Sequence, residues 1–385
     1  MNARAESAAL PGKLRILVVT RSYPAPGDLY RYPFVHRRVL GYRATGHEVA
    51  VFRPSEADAG GYRFDGVDCT VGNGDRLGAL VAAARPNVVA VHGLGPAMWP
   101  IVEPLTRSLP SVAWLHGSEL PGFLGRKCAI DEIPSSFADE QVEQCSDFWR
   151  GVLNLPSAPA RLVFPSEAAV RYMTESVPGA SIRCFVIPNP IDDELFDYRP
   201  KSPEQRFRVL LIRPFDSRCY ANDLAVQTIC DLTRRDDLRF EFRIFGDGPL
   251  FDETIEPLRK LANVSIQRRF LAQAEIANEH KQSGIFLVPT RLDTQGVSRD
   301  EAMSSGLVPV TCAIEPVTDF VDNSCVMLAP PEDSEAMANA LRKLADSPEL
   351  FARMSAAAAR RIRSTRSRKS VISADLALLR GVIDG

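Results

Sequence analysis

Apolar runs of strand length recur along the whole chain, and most of the intervals between them carry apolar residues at helical spacing. In the first half "LRILVVT", "HEVAVFRP", "NVVAVHG", "SVAWLHG", "RLVFPS" and "RCFVIPNP" read as strands, with helices near "FVHRRVLGYRATG", "RLGALVAAA" and 136 to 152. The rhythm then restarts. "FRVLLIRP", "FEFRIFGDGP", "VSIQRRF", "GIFLVPT", "VPVTCA" and "CVMLAPP" alternate with helices over 221 to 234, 251 to 261, 272 to 283 and "VSRDEAMSS". Runs this apolar cannot be half exposed, so they predict parallel sheets covered by helices on both faces. Two such sheets in succession give an α/β fold of two Rossmann-like, doubly wound domains facing across a cleft. Prolines and charges displace the apolar pattern near 190 to 206 and mark the linker. The domains are therefore expected at 1–195 and 196–369, with a final amphipathic helix at 370–385 packing back on the first.

Composition narrows the function classes. At 385 residues and 45% apolar content the chain can bury a large core and its length suggests two or three domains, and a net charge of -2 argues against general polyanion binding, so no nucleic-acid partner is expected. The eight cysteines are scattered, with no CxxC and no metal-ligand spacing among them or the five histidines, as in cytosolic thiols. "MNARAESAALPGK" lacks the apolar core of a signal peptide, and "VVAVHGLGPAMWPIV" is interrupted by His92, Gly93, Gly95 and two prolines. The expectation is a cytoplasmic protein.

Ligands of open parallel sheets bind beyond the carboxyl ends of the strands, so residues just after the strands are the candidates for chemistry. Asp293 and Glu301 stand eight positions apart around Gly296, in the loop and helix that follow "GIFLVPT". A carboxylate beside a phosphate site can accept hydrogen bonds from ribose hydroxyls; alternatively Ser298 and Glu301 form the capping-box pattern S-x-x-E, which explains both by helix stability alone. Arg213 and Arg218 fall in the first loop of the second domain, where two guanidiniums can clamp a diphosphate or, alternatively, stand as surface arginines of a solvated loop. Gly246 and Gly248 in "FGDGP" bring backbone close to the same edge, though a tight turn explains them equally well. His116 ends a strand of the first domain with Glu119 close behind, and His92 sits at a comparable strand end; either histidine reads equally as a structural one.

Together these residues resemble the retaining nucleotide-sugar glycosyltransferases of the GT-B fold, family 4 (glycosyl transferases group 1). The likeness runs over almost the whole chain and is strongest from 161 to 345, in "LVFPSEAAVRYM", "VIPNPIDDELF", "IFGDGPL", "DTQGVSRDEAMSSGLVPV" and "LAPPEDSEAMANAL". The family's acidic pair is normally two glutamates; here the first is Asp293. By position the resemblance implies that Glu301 binds the ribose, Asp293 the transferred sugar, and Arg213 and Arg218 the diphosphate, with Gly246, Gly248, Gly296 and Val297 around the donor. His116 falls beside the reacting sugar. The family's glycine-rich first loop is replaced by "RSYPAPGDLYRYPFVHRR", which places Tyr30, Arg31 and His36, with Glu119, on the acceptor side.

The implied activity is hexosyl transfer with retention from a nucleoside-diphosphate sugar to a saccharide, lipid-linked or small-molecule hydroxyl, in polysaccharide or glycoconjugate biosynthesis, without metal or cofactor. An inverting transferase, a sugar-nucleotide epimerase or a non-catalytic nucleotide-sugar binding protein would share the donor site. Residues 353 to 369 hold seven Arg or Lys and no acid, and 21 to 43 hold five Arg against one Asp. Either stretch could touch anionic lipid at the inner face of a membrane, or be a solvated helix face.

Overall fold

The apolar runs assemble into two separate sheets in the computed structural model, which describes residues 12–57, 59–178, 183–234 and 239–384. Most of "MNARAESAALPGK", which lacks the apolar core of a signal peptide, lies outside these residues. The first sheet holds β1 (Arg15–Thr20), β2 (Glu48–Pro54), β3 (Gly60–Phe64), β4 (Val67–Gly72), β5 (Val88–His92), β6 (Ser111–Trp114), β7 (Arg161–Phe164) and β8 (Cys184–Val186), in the order β3-β4-β2-β1-β5-β6-β7-β8. Only the β3–β4 pair is antiparallel. The second holds β9 (Arg208–Ile212), β10 (Glu241–Gly246), β11 (Val264–Arg268), β12 (Ile285–Leu287), β13 (Val308–Cys312) and β14 (Met327–Ala329), all parallel, in the order β11-β10-β9-β12-β13-β14.

Side chains alternate across each strand, so every sheet has two cores. Leu17, Val19, Val89 and Val91 face Trp149 and Tyr172 on one side of the first sheet, while Ile16, Val18, Val88 and Ala90 face the helix Pro33–Ala44 on the other. The last helix, Arg368–Ile383, joins this second core through Val371, Ile372, Leu376 and Leu379. One buried carboxylate orients it there. Asp375 accepts hydrogen bonds from Arg38 Nε (2.9 Å), the Tyr42 hydroxyl (3.0 Å) and Trp114 Nε1 (3.3 Å).

Both strand orders reverse direction once, between β1 and β5 and between β9 and β12. At such a switch point the loops leaving neighbouring strands diverge to opposite faces and open a crevice at their carboxyl ends. The two crevices face each other across the domain boundary, so Arg213 after β9, the 290–301 segment after β12 and His116 after β6 are delivered to one place.

Candidate active site

That place is a cavity of about 270 Å3 between the domains. Arg213, Asp293, Gly296, Val297 and Glu301 of the second domain line it together with Tyr30 and His116 of the first. Arg213 is 5% exposed; one terminal nitrogen donates to the Pro289 carbonyl (2.7 Å), Nε has no partner, and the guanidinium lies 5.0 Å from the centre of the Tyr220 ring. Burial pushes its pKa below the ordinary value, and the Asp293 carboxylate opposes that most strongly. A buried cation lacking an ion-pair partner is a receptor for an anion.

Asp293 accepts the NH groups of Thr294 (2.7 Å) and Gln295 (3.0 Å) through one carboxylate oxygen, which folds the loop back on itself. The helix Val297–Ser304 follows, with Gly296 as its N-cap in the left-handed region at φ 86 and no side-chain cap. Its first-turn residues line the cavity, so the positive end of that helix adds to the field of Arg213. The helix start also removes the capping-box explanation of Ser298 and Glu301. Ser298 lies inside the first turn and Glu301 in the second, facing a different partner.

That partner is Arg37, from the first-domain helix Pro33–Ala44. Arg37 donates from one nitrogen to both the Glu301 carboxylate and the Gln273 side-chain oxygen, and its other terminal nitrogen, Nη1, is buried without a partner. The ion pair is almost dry, its side chains being 6% and 7% exposed. Burial drives the Glu301 carboxyl above its usual range, and Arg37 works against that rise.

Further bonds close the boundary around the cavity. The Thr294 hydroxyl donates to the His116 carbonyl (2.8 Å). Gln295 pairs reciprocally with the linker backbone, accepting the Asn189 NH (2.6 Å) and donating to the Asn189 carbonyl (3.2 Å). Elsewhere on the boundary, Asp131 accepts the Ser217 hydroxyl and the Arg218 NH, each at 2.8 Å.

Other sequence candidates stand elsewhere. Arg218 is exposed, 3.6 Å from Glu132, and does not line the cavity, so the two arginines form no clamp in this structure. Gly246 and Gly248 pack against the Arg213 loop rather than the cavity. A Cβ at Gly246 would lie 2.0 Å from the Arg213 carbonyl oxygen, and one at Gly248 2.4 Å from the Phe215 carbonyl carbon, so these glycines fix how Arg213 enters the site. Glu119 is buried and accepts the NH groups of His116 (3.1 Å) and Gly117 (2.9 Å) and the Tyr32 hydroxyl (2.8 Å), which holds the His116 loop in shape. His36 bonds Tyr23 (2.6 Å) and Asp65 (3.2 Å) beside a second cavity, and Arg31 pairs with Asp28. Of the four acceptor-side residues, Tyr30 alone lines the main cavity. Among the described residues no cluster of three or more His, Cys, Asp or Glu is placed to hold a metal.

Part of the charge of the basic stretches is paired within the molecule. Arg361 pairs with Asp322, Arg366 with Asp300, and Arg368 with Asp192 and Glu194; in the first domain Arg31, Arg37 and Arg38 pair with Asp28, Glu301 and Asp375. Among the described residues no helix is long and apolar enough to cross a membrane.

Residues 207–347 match the family model described as Glycosyl transferases group 1. No curated protein matches the chain. Sucrose-phosphate synthase from Thermosynechococcus elongatus superimposes with a TM-score of 0.75 at 12% identity, covering 96% of this chain and 99% of that one. The fold is GT-B. HepE from Anabaena, solved with UDP and glucose, gives 0.70 at 14% identity over 95% of this chain and 99% of its own. The starch synthase IV catalytic domain from Arabidopsis thaliana, bound to ADP and acarbose, gives 0.65 at 12% over 97% and 100%. The family match spans Arg213, Asp293, Gly296 and Glu301, and with the fold it supports a glycosyltransferase.

Proposed function

We propose that this protein is a retaining glycosyltransferase that moves a hexosyl group from a nucleoside-diphosphate sugar to a hydroxyl acceptor, in polysaccharide or glycoconjugate biosynthesis. The observation that carries the reading is Arg213, a buried guanidinium without a carboxylate partner, set beside a helix N-terminus at the switch point of the second sheet. The diphosphate takes Arg213 and the NH groups of the first helical turn; the ribose takes the Glu301 carboxylate in place of Arg37. The transferred sugar then lies towards Asp293 and His116. As the bond from the anomeric carbon to the phosphate oxygen breaks, its electron pair stays on the diphosphate, where Arg213 and the helix dipole stabilise the growing charge. The acceptor oxygen bonds the anomeric carbon from the same face, and its proton passes to the departing phosphate oxygen. In this scheme fixed cationic and dipolar groups do the work that a divalent ion does at other phosphate sites. The acceptor is a saccharide, lipid-linked or small-molecule hydroxyl.

UDP and ADP in the two GT-B neighbours support a nucleoside diphosphate as the donor's leaving group. The test is a thermal-shift panel of UDP, GDP, ADP and dTDP sugars. A ligand at 100 times its dissociation constant adds about 2.7 kcal/mol to stability. One base class should raise the melting temperature in the parent and not in Arg213→Ala; a panel with no stabilising member overturns the reading.

A further inference from the structure

The two walls of the main cavity differ in kind. Among the described residues that line it, the second domain supplies every guanidinium, carboxylate and aliphatic hydroxyl, in Arg213, Asp293, Thr294, Ser298 and Glu301. The first domain contributes Leu29, Tyr30, Pro33, Phe34 and His116. The histidine does not break the apolar character of that wall, because neither ring nitrogen is free for a ligand: Nε2 lies 3.2 Å from Nδ1 of His92, and Nδ1 is buried. The Tyr30 hydroxyl is buried as well. The first domain therefore meets a ligand mainly with carbon, much of it aromatic.

Phe34 stands at the His116 end of this wall. Its ring centre is 4.6 Å from that of His116 and 5.0 Å from that of Tyr32, and Tyr32 lies 5.2 Å from His116. The cluster is anchored at its back. The Tyr32 hydroxyl donates to one oxygen of Glu119 (2.8 Å), and the other oxygen accepts the His116 NH (3.1 Å). Phe34 itself sits in the first turn of the helix Pro33–Ala44, directly after a proline that fixes the helix start and a tyrosine held in the left-handed region at φ 49. A ring fixed in this way gives up little rotamer freedom when a ligand meets it. Being half-buried, it keeps surface for a ligand to cover.

A pyranose ring has the matching shape. Hydroxyls project from its rim, while its faces carry C–H bonds, whose weakly positive hydrogens are drawn to the negative face of an aromatic ring. Between an aromatic wall and a wall of carboxylates and hydroxyls, such a ring turns a face to the first and its rim to the second. We propose that Phe34 is a further substrate-contacting residue: its phenyl ring is the platform for the C–H face of the transferred pyranosyl group, while Asp293 takes hydroxyls at the rim. The statement rests on the glycosyltransferase reading, which puts the transferred sugar towards Asp293 and His116. The segment that replaces the family's glycine-rich loop thus supplies a contact that glycine cannot make.

The test compares the nucleoside diphosphate selected by the thermal-shift panel with its hexosyl conjugate, each titrated calorimetrically into the parent, Phe34→Leu and Phe34→Tyr. In Phe34→Leu, which keeps apolar volume and loses the ring, the conjugate should bind roughly 3- to 10-fold more weakly while the free diphosphate binds as before. Phe34→Tyr keeps the ring and should bind both like the parent. Unchanged affinity for the conjugate in Phe34→Leu overturns the proposal, and so does equal weakening of both ligands, which reduces Phe34 to a packing residue of the wall. A measurement on the parent is independent of how the variants fold. In deuterated protein carrying protonated phenylalanine, saturation of the phenylalanine ring protons should pass to the hexosyl C–H protons of the conjugate. A parent that binds the conjugate without such transfer loses the Phe34 platform and keeps the glycosyltransferase reading; a parent that binds no member of the panel loses both.

Discussion

Removing Arg37 should harm stability and spare, or improve, donor binding. The Arg37–Glu301 pair ties the two domains together across the cavity, and both side chains are more than nine-tenths buried. Breaking a buried pair by deleting one partner costs about 3–5 kcal/mol while the interface stays shut, and less if the domains part and admit water. Arg37→Leu should therefore lower the melting temperature. In that variant the Glu301 carboxylate no longer has a competitor, so the ribose hydroxyls meet a free acceptor. Loss of the cation also lets burial push the Glu301 carboxyl higher still, so binding is best compared across a range of pH, the higher values favouring the charged carboxylate. Glu301→Gln has the opposite signature in binding. It strands the Arg37 charge, and it presents the ribose with a weaker acceptor, costing about 1–3 kcal/mol, or roughly 5- to 150-fold in affinity. Calorimetric titration of the selected nucleoside diphosphate into the two variants decides the matter. Equal weakening in both would show that the site needs the ion pair itself, and would refute the exchange of Arg37 for the ribose.

Arg213→Ala should weaken nucleotide binding by about 1.5–3 kcal/mol with little change in melting temperature, whereas Arg218→Ala should bind like the parent; similar losses in both would bring Arg218 into the site. Turnover should be the same with and without EDTA, and activity lost to EDTA and restored by magnesium would count against charge stabilisation by Arg213 and the helix start. Burial pushes His280 down to about 3 from an ordinary 6.5. Because its folded pKa is depressed, its contribution is complete above pH 6.5 and is lost as pH falls towards 3, amounting to roughly 5 kcal/mol over that range at 1.36 kcal/mol per unit. Denaturant titrations at pH 7 and pH 4 should lose less stability in His280→Leu than in the parent, and parallel losses would refute the assignment.

The strands that position the site were legible because a parallel strand buried on both faces is apolar at nearly every position, whatever lies beside it. "NVVAVHG" and "GIFLVPT" are of this kind, and so the residues behind them, His92 and Asp293, could be placed at a ligand edge. The hairpin β3–β4 was not legible. Residues 60–64 alternate between exposed and half-buried and include two glycines, and the strand owes its pairing to the two-residue turn at Asp65 and Gly66, both with positive φ. The helices Trp99–Thr106 and Pro121–Ile130 were hidden for a related reason, since each carries a proline in its first turn and the first has a second proline inside. Serine three residues before glutamate at 298 to 301 was legible but misleading: Gly296 starts the helix two residues earlier and turns the apparent cap into part of the helix body.

Arg37 carried no signal of its own, because its meaning depends on a partner 264 residues away. In sequence, "HRR" within a helix reads as charge turned to solvent. Yet both arginines are buried, and the difference between them is angular. Neighbouring residues on an α-helix project roughly 100° apart, so one helix can offer two adjacent cations to two different structures. Arg37 reaches Glu301 in the second domain, while Arg38 reaches Asp375 on the last helix and the Asn189 side chain in the linker (2.7 Å). Asn189 in turn holds Gln295, in the loop between Asp293 and Glu301. The segment between Asp293 and Glu301 is therefore gripped at two points by one first-domain helix, directly at Glu301 and through Asn189 at Gln295. A doubled arginine is an economical way to build such a grip, and it leaves in the sequence only the charge pattern of an ordinary surface.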